Sequence, residues 1–487
     1  MRDTTDPDSL DVIIVGAGLS GIGAACLMAE KRPDDRIALL EAREAMGGTW
    51  DYFRYPGIRS DSDMHTLGYS FRPWLGEKAI TDGPSINAYI RETAVAYGVD
   101  ERIRYQHRVT AADWDGARWQ LTVETPEGTR QLATRFLMIC TGYYDYAGGH
   151  APVFAGQEDF AGPIIHPQHW PEDLDWTGKR VAVIGSGATA VTLMPELAKT
   201  AAHVTQIQRT PTYVTDMPAR DGMARFFSRV LPEQAAHTVT RWKNILMGMG
   251  FFQLSQRWPS LVRGMLSKNV VKKSGADPTH FDPPYKPWDQ RLCLAPDGDF
   301  FEVLKDGSAS ITTGAVERFE PAGVRLVSGE LVEADIIVTA TGLRMKLAGG
   351  MRVTVGGHAV HPGSHLSYKG AMLSDVPNFV MTFGYTNASW TLKCELVLRW
   401  AIRLLDHMEK TGTDIATPRP PQDASAEPAV PLTSGYIQRA LEHLPKQAQT
   451  RPWRVHQNYL LDLRAFRMDP IQDGTMEFSH ATVPATA

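Results

Sequence analysis

Cysteine is scarce in this chain of 487 residues: Cys26, Cys140, Cys293 and Cys394 are the only four, and no two form a C-x-x-C pair. That argues against a redox disulfide and a zinc site, and free thiols point to a reducing cytoplasm. Long apolar runs are lacking too, with nothing near the ~18 uninterrupted apolar residues of a membrane-spanning helix. Basic charge is not in excess: the net charge is −5, which gives no case for nucleic acid as a partner. The opening segment MRDTTDPDSL is polar and acidic and does not read as a signal peptide. The remaining composition is that of an ordinary globular protein, 43% hydrophobic. The length suits roughly three domain-sized units.

Against that background the glycines stand out. Asp11 to Val15 reads DVIIV, a short buried parallel strand. Gly16-Ala-Gly18-Leu-Ser-Gly21 follows and opens a small-residue helix. Gly16 permits the tight turn, Gly18 lets the backbone approach a pyrophosphate, and Gly21 lets helix and strand pack closely. The next strand, IALLE, ends in Glu41, where a carboxylate accepts hydrogen bonds from an adenosine ribose. Taken alone the loop is a weak signal; strand, loop, helix, strand and acid together predict a dinucleotide site.

A second unit repeats the pattern. Arg180 to Ile184 is a strand, and Gly185-Ser-Gly187-Ala-Thr-Ala190 is the loop, with alanine in the third position. Its second strand, HVTQIQ, ends in Arg209-Thr210 and not in an acid. A cation there suits a 2′-phosphate, which favours NADPH over NADH, with Thr210 adding a hydrogen bond. Each unit closes on a strand ending in Thr-Gly, FLMICTG at 136–142 and DIIVTATG at 335–342. Between the two loops lie Phe160, Gly162, His166, Trp170 and Pro171, spelling F-x-G-x-x-x-H-x-x-x-W-P.

The linker resembles the fingerprint of type I Baeyer–Villiger monooxygenases. Gly47-Gly48-Thr49-Trp50 is similar to the G-G-x-W of flavin monooxygenases, which makes FAD the first nucleotide. Further strings, GGTWDYFRYPGIRSDSDM, KPWDQRLC and GYTNASWTLK among them, extend the resemblance nearly end to end. Together they resemble the ethionamide-activating subgroup; His65, where that group is expected to carry Tyr, and the His-rich 358–368 stretch depart from it. The resemblance implies an α/β fold with two Rossmann-like domains, for FAD and NADPH, and a helical insertion. The expected division is an FAD domain over 1–147, a fingerprint linker over 148–175, an NADPH domain over 176–345 with the insertion at 221–284, and a return to the FAD domain over 346–487.

The implied reaction is NADPH- and O2-dependent conversion of ketones to esters or lactones through a flavin peroxide, with sulfoxidation as a further outcome. Arg291 matches the family's catalytic arginine, and Asp61 the acid that steadies it. From spacing alone Arg291 reads as a structural ion pair and Asp61 as a helix cap or turn residue. His166 reads as a hinge and hydrogen-bonding residue, and Ser389 as the cap of the helix that follows it. An N- or S-oxygenating flavin-containing monooxygenase is the alternative enzyme; the Trp170-Pro171 ending and Arg291 argue against it. The insertion reads as subdomain core helices, as a cap over the substrate channel, or as a peripheral membrane contact. The sequence leaves the particular ketone or sulfide and the oligomeric state open.

Overall fold

A computed structural model describes residues 9–430 and 432–481. Residues 1–8, most of the segment on which the signal-peptide reading rests, lie outside it. Two sheets organise the chain, each built on one glycine loop.

The first sheet has eleven strands. Its parallel part orders Ile103–Arg104, Ile37–Leu40, Ser9–Val15 and Gly128–Ile139 side by side. Val12 and Ile14 face one buried cluster, Ile13 and Val15 the other. A strand covered on both faces must be apolar at every position, which is why DVIIV is continuous and not alternating. Gly128–Ile139 changes partner along its length. Its first half pairs antiparallel with Trp119–Thr125, and its end pairs parallel with Phe379–Met381. Arg352–Val355 joins the same sheet beside Arg108–Trp114. The chain beyond residue 345 therefore returns to the first sheet.

The second sheet is parallel throughout, ordered Ala309–Thr313, His203–Gln208, Arg180–Ile184, Ile336–Thr339 and Ile164–Ile165. Its last member comes from the fingerprint segment, so residues read as a linker supply an edge strand. Two residues are too few for a periodicity to announce. The close packing there needs Gly162, whose added Cβ would lie 2.1 Å from the Asp335 carbonyl oxygen.

Three helices, Gly222–Val230, Glu233–Arg257 and Pro259–Ser274, form the insertion. Val262, Leu266 and Val270 bury one stripe of the last helix. The core-helix expectation holds for that stripe and fails for Gly222–Val230, which buries no residue. Helix Trp390–Thr411 packs on Leu19–Lys31, and Trp390 Nε1 donates to Ser20 Oγ at 2.9 Å. Ser389 occupies the N-cap position of that helix but does not cap it. Its hydroxyl is engaged with Thr66 Oγ1 at 2.6 Å, a tertiary bond that overrides the local preference.

Candidate active site

In the first loop, Gly16 has φ of +101°, a left-handed conformation that favours glycine. Gly21 is fixed by close approach: an added Cβ would lie 1.7 Å from the Gly16 carbonyl oxygen. Gly18 is the N-cap of Leu19–Lys31, and no side chain caps that helix. Asp63, Asp82 and Asp221, by contrast, each cap a helix with a carboxylate. The first helix thus offers its N–H groups and positive end to an outside anion. Glu41 is buried at the neighbouring strand end, its carboxylate accepting from Ala17 N at 2.8 Å and Arg43 N at 3.0 Å. Burial raises its pKa against the opposing pull of those bonds. Gly48 approaches Gly18, Thr49 Oγ1 lies 3.5 Å from Tyr146 OH, and Trp50 packs on the adjoining core.

The second loop repeats this geometry. Gly187 is the N-cap of Ala188–Leu197, again with no side-chain cap. An added Cβ at Gly187 would meet nothing within 4 Å, so the protein itself does not demand glycine there. Gly185 lies against Ala340, and Ala190 is fully buried. Arg209 is exposed just beyond His203–Gln208, and the Thr210 carbonyl accepts from Ser186 Oγ at 2.9 Å. Both loops fit a dinucleotide: an uncapped helix end, a small-residue cradle and, at the second strand end, an acid in one unit and a cation in the other.

The fingerprint ties these units together. His166 Nε2 donates to the Gly342 carbonyl at 3.2 Å, and Nδ1 accepts from Gln168 N at 3.2 Å. One neutral tautomer satisfies both bonds, and burial lowers the ring's pKa in agreement. Gln168 Nε2 in turn holds the Asp145 carbonyl at 2.7 Å. Phe160 is buried in the core beneath the second sheet. Trp170 packs edge-on to Trp176 against the opposite core, and Pro171 follows it at the surface.

Asp61 and Arg291 meet across the two units, Oδ2 to Nη2 at 2.9 Å. The segment carrying Asp61 packs against the second unit: an added Cβ at Gly57 would strike Glu196 of helix Ala188–Leu197. Arg291 stands just before strand Cys293–Pro296, and the Cys293 thiol lies 3.9 Å from the Ser186 carbonyl of the second loop. About a third of each side chain of the pair remains accessible, 32% for Arg291 and 36% for Asp61. The Asp61 carboxylate holds the guanidinium above its ordinary pKa, against the effect of burial. Asp63, and not Asp61, is the helix cap in this segment.

Sequence reasoning missed the aromatic wall around Arg291. Tyr143, Tyr144 and Tyr436 lie close enough to the guanidinium to act on it electrostatically. Tyr143 OH and Tyr144 OH are 3.1 Å apart, and the Tyr143 ring packs on Phe383 at 5.3 Å and Trp390 at 5.1 Å. Burial pushes all three phenols up, so they stay neutral hydrogen-bond donors. Tyr143 and Tyr144 directly follow the Thr-Gly strand end, a signal that could have flagged them. Tyr436 carries none, being brought in by a distant contact: Thr433 N donates to the Asp289 carbonyl at 2.9 Å. The four free cysteines are buried, their thiols pushed up to about 12 by that burial, and are poor nucleophiles.

Comparison with known proteins agrees with this architecture. The flavin-binding monooxygenase-like family profile matches residues 82–242, and the NAD(P)-binding Rossmann-like domain profile matches 14–75. The FAD-containing monooxygenase EthA of Mycobacterium tuberculosis (strain ATCC 25618 / H37Rv) is 49% identical over 484 residues, 98% of this chain and 99% of that protein. This chain belongs to the family of FAD-containing monooxygenases. The probable FAD-binding monooxygenase AlmA of Acinetobacter baylyi is 44% identical over 97% of each chain. Among solved structures, an oxidised steroid monooxygenase bound to NADP superposes with a TM-score of 0.76 at 21% identity, covering 97% of this monooxygenase and 100% of that chain. An open cyclohexanone monooxygenase gives 0.70 at 21% identity, over 85% and 90% of the two chains. These likenesses establish a shared fold of two dinucleotide-binding units. No helix among the described residues is long and apolar enough to cross a membrane.

Proposed function

We propose that this monooxygenase uses FAD, NADPH and O2 to convert ketones to esters or lactones, and sulfides to sulfoxides. For a ketone the balance is ketone, O2, NADPH and a proton giving ester, NADP+ and water. The observation that carries the reading is the Asp61–Arg291 ion pair, partly open, with three tyrosines nearby, where the two dinucleotide-binding units meet. We assign the first sheet with its returning strands to FAD and the second to NADPH. The four buried free thiols support a cytoplasmic location.

FAD and NADPH, when bound, supply oxygen activation and hydride. The protein's part is to bind, orient and stabilise charge. The loop from Gly16 to Gly21 and the first turn of Leu19–Lys31 receive one pyrophosphate, with Glu41 at the ribose and Gly48, Thr49 and Trp50 alongside. Gly185, Gly187 and Ala190 receive the other, with Arg209 and Thr210 at the 2′-phosphate. Arg291 neutralises the negative charge that develops on oxygen as the ketone is attacked. Guanidinium stays charged at any working pH and presents five donors in a fixed fork. Asp61 aims that fork. Losing a comparable donor costs about 10²–10³ in rate. Tyr143, Tyr144 and Tyr436 exclude water and offer neutral donors where a substrate carbonyl would sit. His166 positions the strand end at Gly342 and takes no proton.

The test is NADPH oxidation by the FAD-loaded enzyme with an added ketone, with mass analysis of the product. Oxygen-dependent stimulation and a product heavier by one oxygen atom are expected. Stimulation by amines alone would favour the N-oxygenating alternative and overturn the ketone reading.

A further inference from the structure

Seventeen large hydrophobic side chains are exposed among the described residues, and nine of them fall between residues 222 and 274. The same stretch holds nine Lys and Arg but one acid, Glu233, in a chain whose net charge is −5. Four of these cations are neutralised in place: Arg241 by Glu395, Lys243 by Asp221, Arg263 by Asp282 and Lys273 by Asp216. Arg225, Arg229, Arg257, Lys268 and Lys272 are exposed and have no acidic partner among the described residues.

The exposed side chains follow stripes. Met223, Phe226 and Val230 recur at helical spacing on Gly222–Val230, each more than half exposed at 53%, 60% and 57%. Trp258 stands at the bend between Glu233–Arg257 and Pro259–Ser274. From it Leu261, Met265, Lys268 and Lys272 continue one outer stripe, opposite the buried Val262, Leu266 and Val270. Apolar residues thus lead at the bend and cations trail behind them. The three helices are consecutive, and Gly222–Val230 and Pro259–Ser274 each pack on Glu233–Arg257.

We propose that this helical insertion docks on the surface of an anionic phospholipid bilayer. The exposed Phe226, Trp258, Leu261 and Met265 enter the interface, and the five unpaired cations lie against headgroup phosphates. Charge selects this occupant over a second copy of the chain, because a two-fold contact would set this cationic surface against itself. The apolar stripes select it over nucleic acid, whose phosphate backbone would leave them uncovered.

The test is flotation of the FAD-loaded enzyme with vesicles of equal parts phosphatidylglycerol and phosphatidylcholine, beside vesicles of phosphatidylcholine alone. Binding to the mixed vesicles should be at least about tenfold the stronger and should fall as salt rises. Lys268→Glu with Lys272→Glu should weaken it at least about tenfold. Trp258→Ser with Leu261→Ser should weaken it on both vesicle types. All of these residues are exposed, so FAD content and turnover of a water-soluble ketone should be unchanged. The proposal is overturned if the enzyme floats with neither vesicle, or if the variants float like the parent. It is equally overturned if light scattering shows an oligomer that the variants dissolve while vesicles go unbound, since a second copy then covers the face.

Discussion

A methyl group at Gly187 would meet nothing within 4 Å, whereas one at Gly21 would lie 1.7 Å from the Gly16 carbonyl oxygen. The two glycines therefore answer to different demands. Gly187→Ala should leave thermal stability unchanged and raise the Michaelis constant for NADPH, because the crowding arises only with a pyrophosphate in place. Gly21→Ala should lose FAD and stability together, read from flavin absorbance and melting temperature. Arg209→Ala should raise the Michaelis constant for NADPH far more than that for NADH; equal changes would remove the 2′-phosphate role. These residues were legible because glycine loops and fingerprints act through the local backbone, which spacing records. The tyrosine wall was not, since Tyr143 and Tyr436 come from segments far apart in the chain and converge only through the fold.

At the level of elements, two buried polar clusters join segments distant in the chain. Lys393 Nζ pairs with Asp462 at 2.6 Å, and Tyr385 OH donates to the same carboxylate at 2.6 Å. This pins the first turn of helix Trp390–Thr411, through Lys393, and the loop before it, through Tyr385, to helix Tyr459–Arg467. Asp462→Ala strands a buried ammonium and should cost about 3–5 kcal/mol in denaturant unfolding. His65 and His237 form the second cluster, with ring centroids 6.4 Å apart, near Arg241. Burial, reinforced by Arg241, lowers the pKa of His237 from 6.5 to about 4. The folded state thus resists protonation. Stability from this site is present above pH 6.5 and lost as pH falls toward 4, at up to about 1.4 kcal/mol per pH unit. His237→Phe should flatten that acid limb in melting curves taken across the window; an unchanged limb would assign it to other groups. The strands and helices were largely legible from their apolar periods. The edge strand Ile164–Ile165 was too short to show, and Ser389 sat at a cap position with its hydroxyl bonded elsewhere.

On the scale of the whole molecule, two sheets with separate cores are bridged by the partly open Asp61–Arg291 pair, beside a second pair between Arg59 and Asp299. Asp61 comes from the first unit and Arg291 from the edge of the second, so the site exists only while the units are held in register. His166 acts on that register through Gln168: its Nδ1 accepts from Gln168 N, and the Gln168 side chain donates to the Asp145 carbonyl of the first unit. His166→Ala should still bind FAD yet divert reducing equivalents to hydrogen peroxide, measured as peroxide released per NADPH consumed. Wild-type coupling in that variant would remove the positioning role. The repeated loops announced two cofactors in the sequence and the resemblance paired Asp61 with Arg291; the fold adds their contact at 2.9 Å. We assign Arg291 to oxygen transfer and not to hydride transfer. The direct test compares Arg291→Ala with the parent enzyme, measuring flavin reduction by NADPH without oxygen and ester formed in air. Reduction should proceed at a rate near the parent's, and ester formation should fall by about 10²–10³. Ester formation at the parent rate would contradict the assignment.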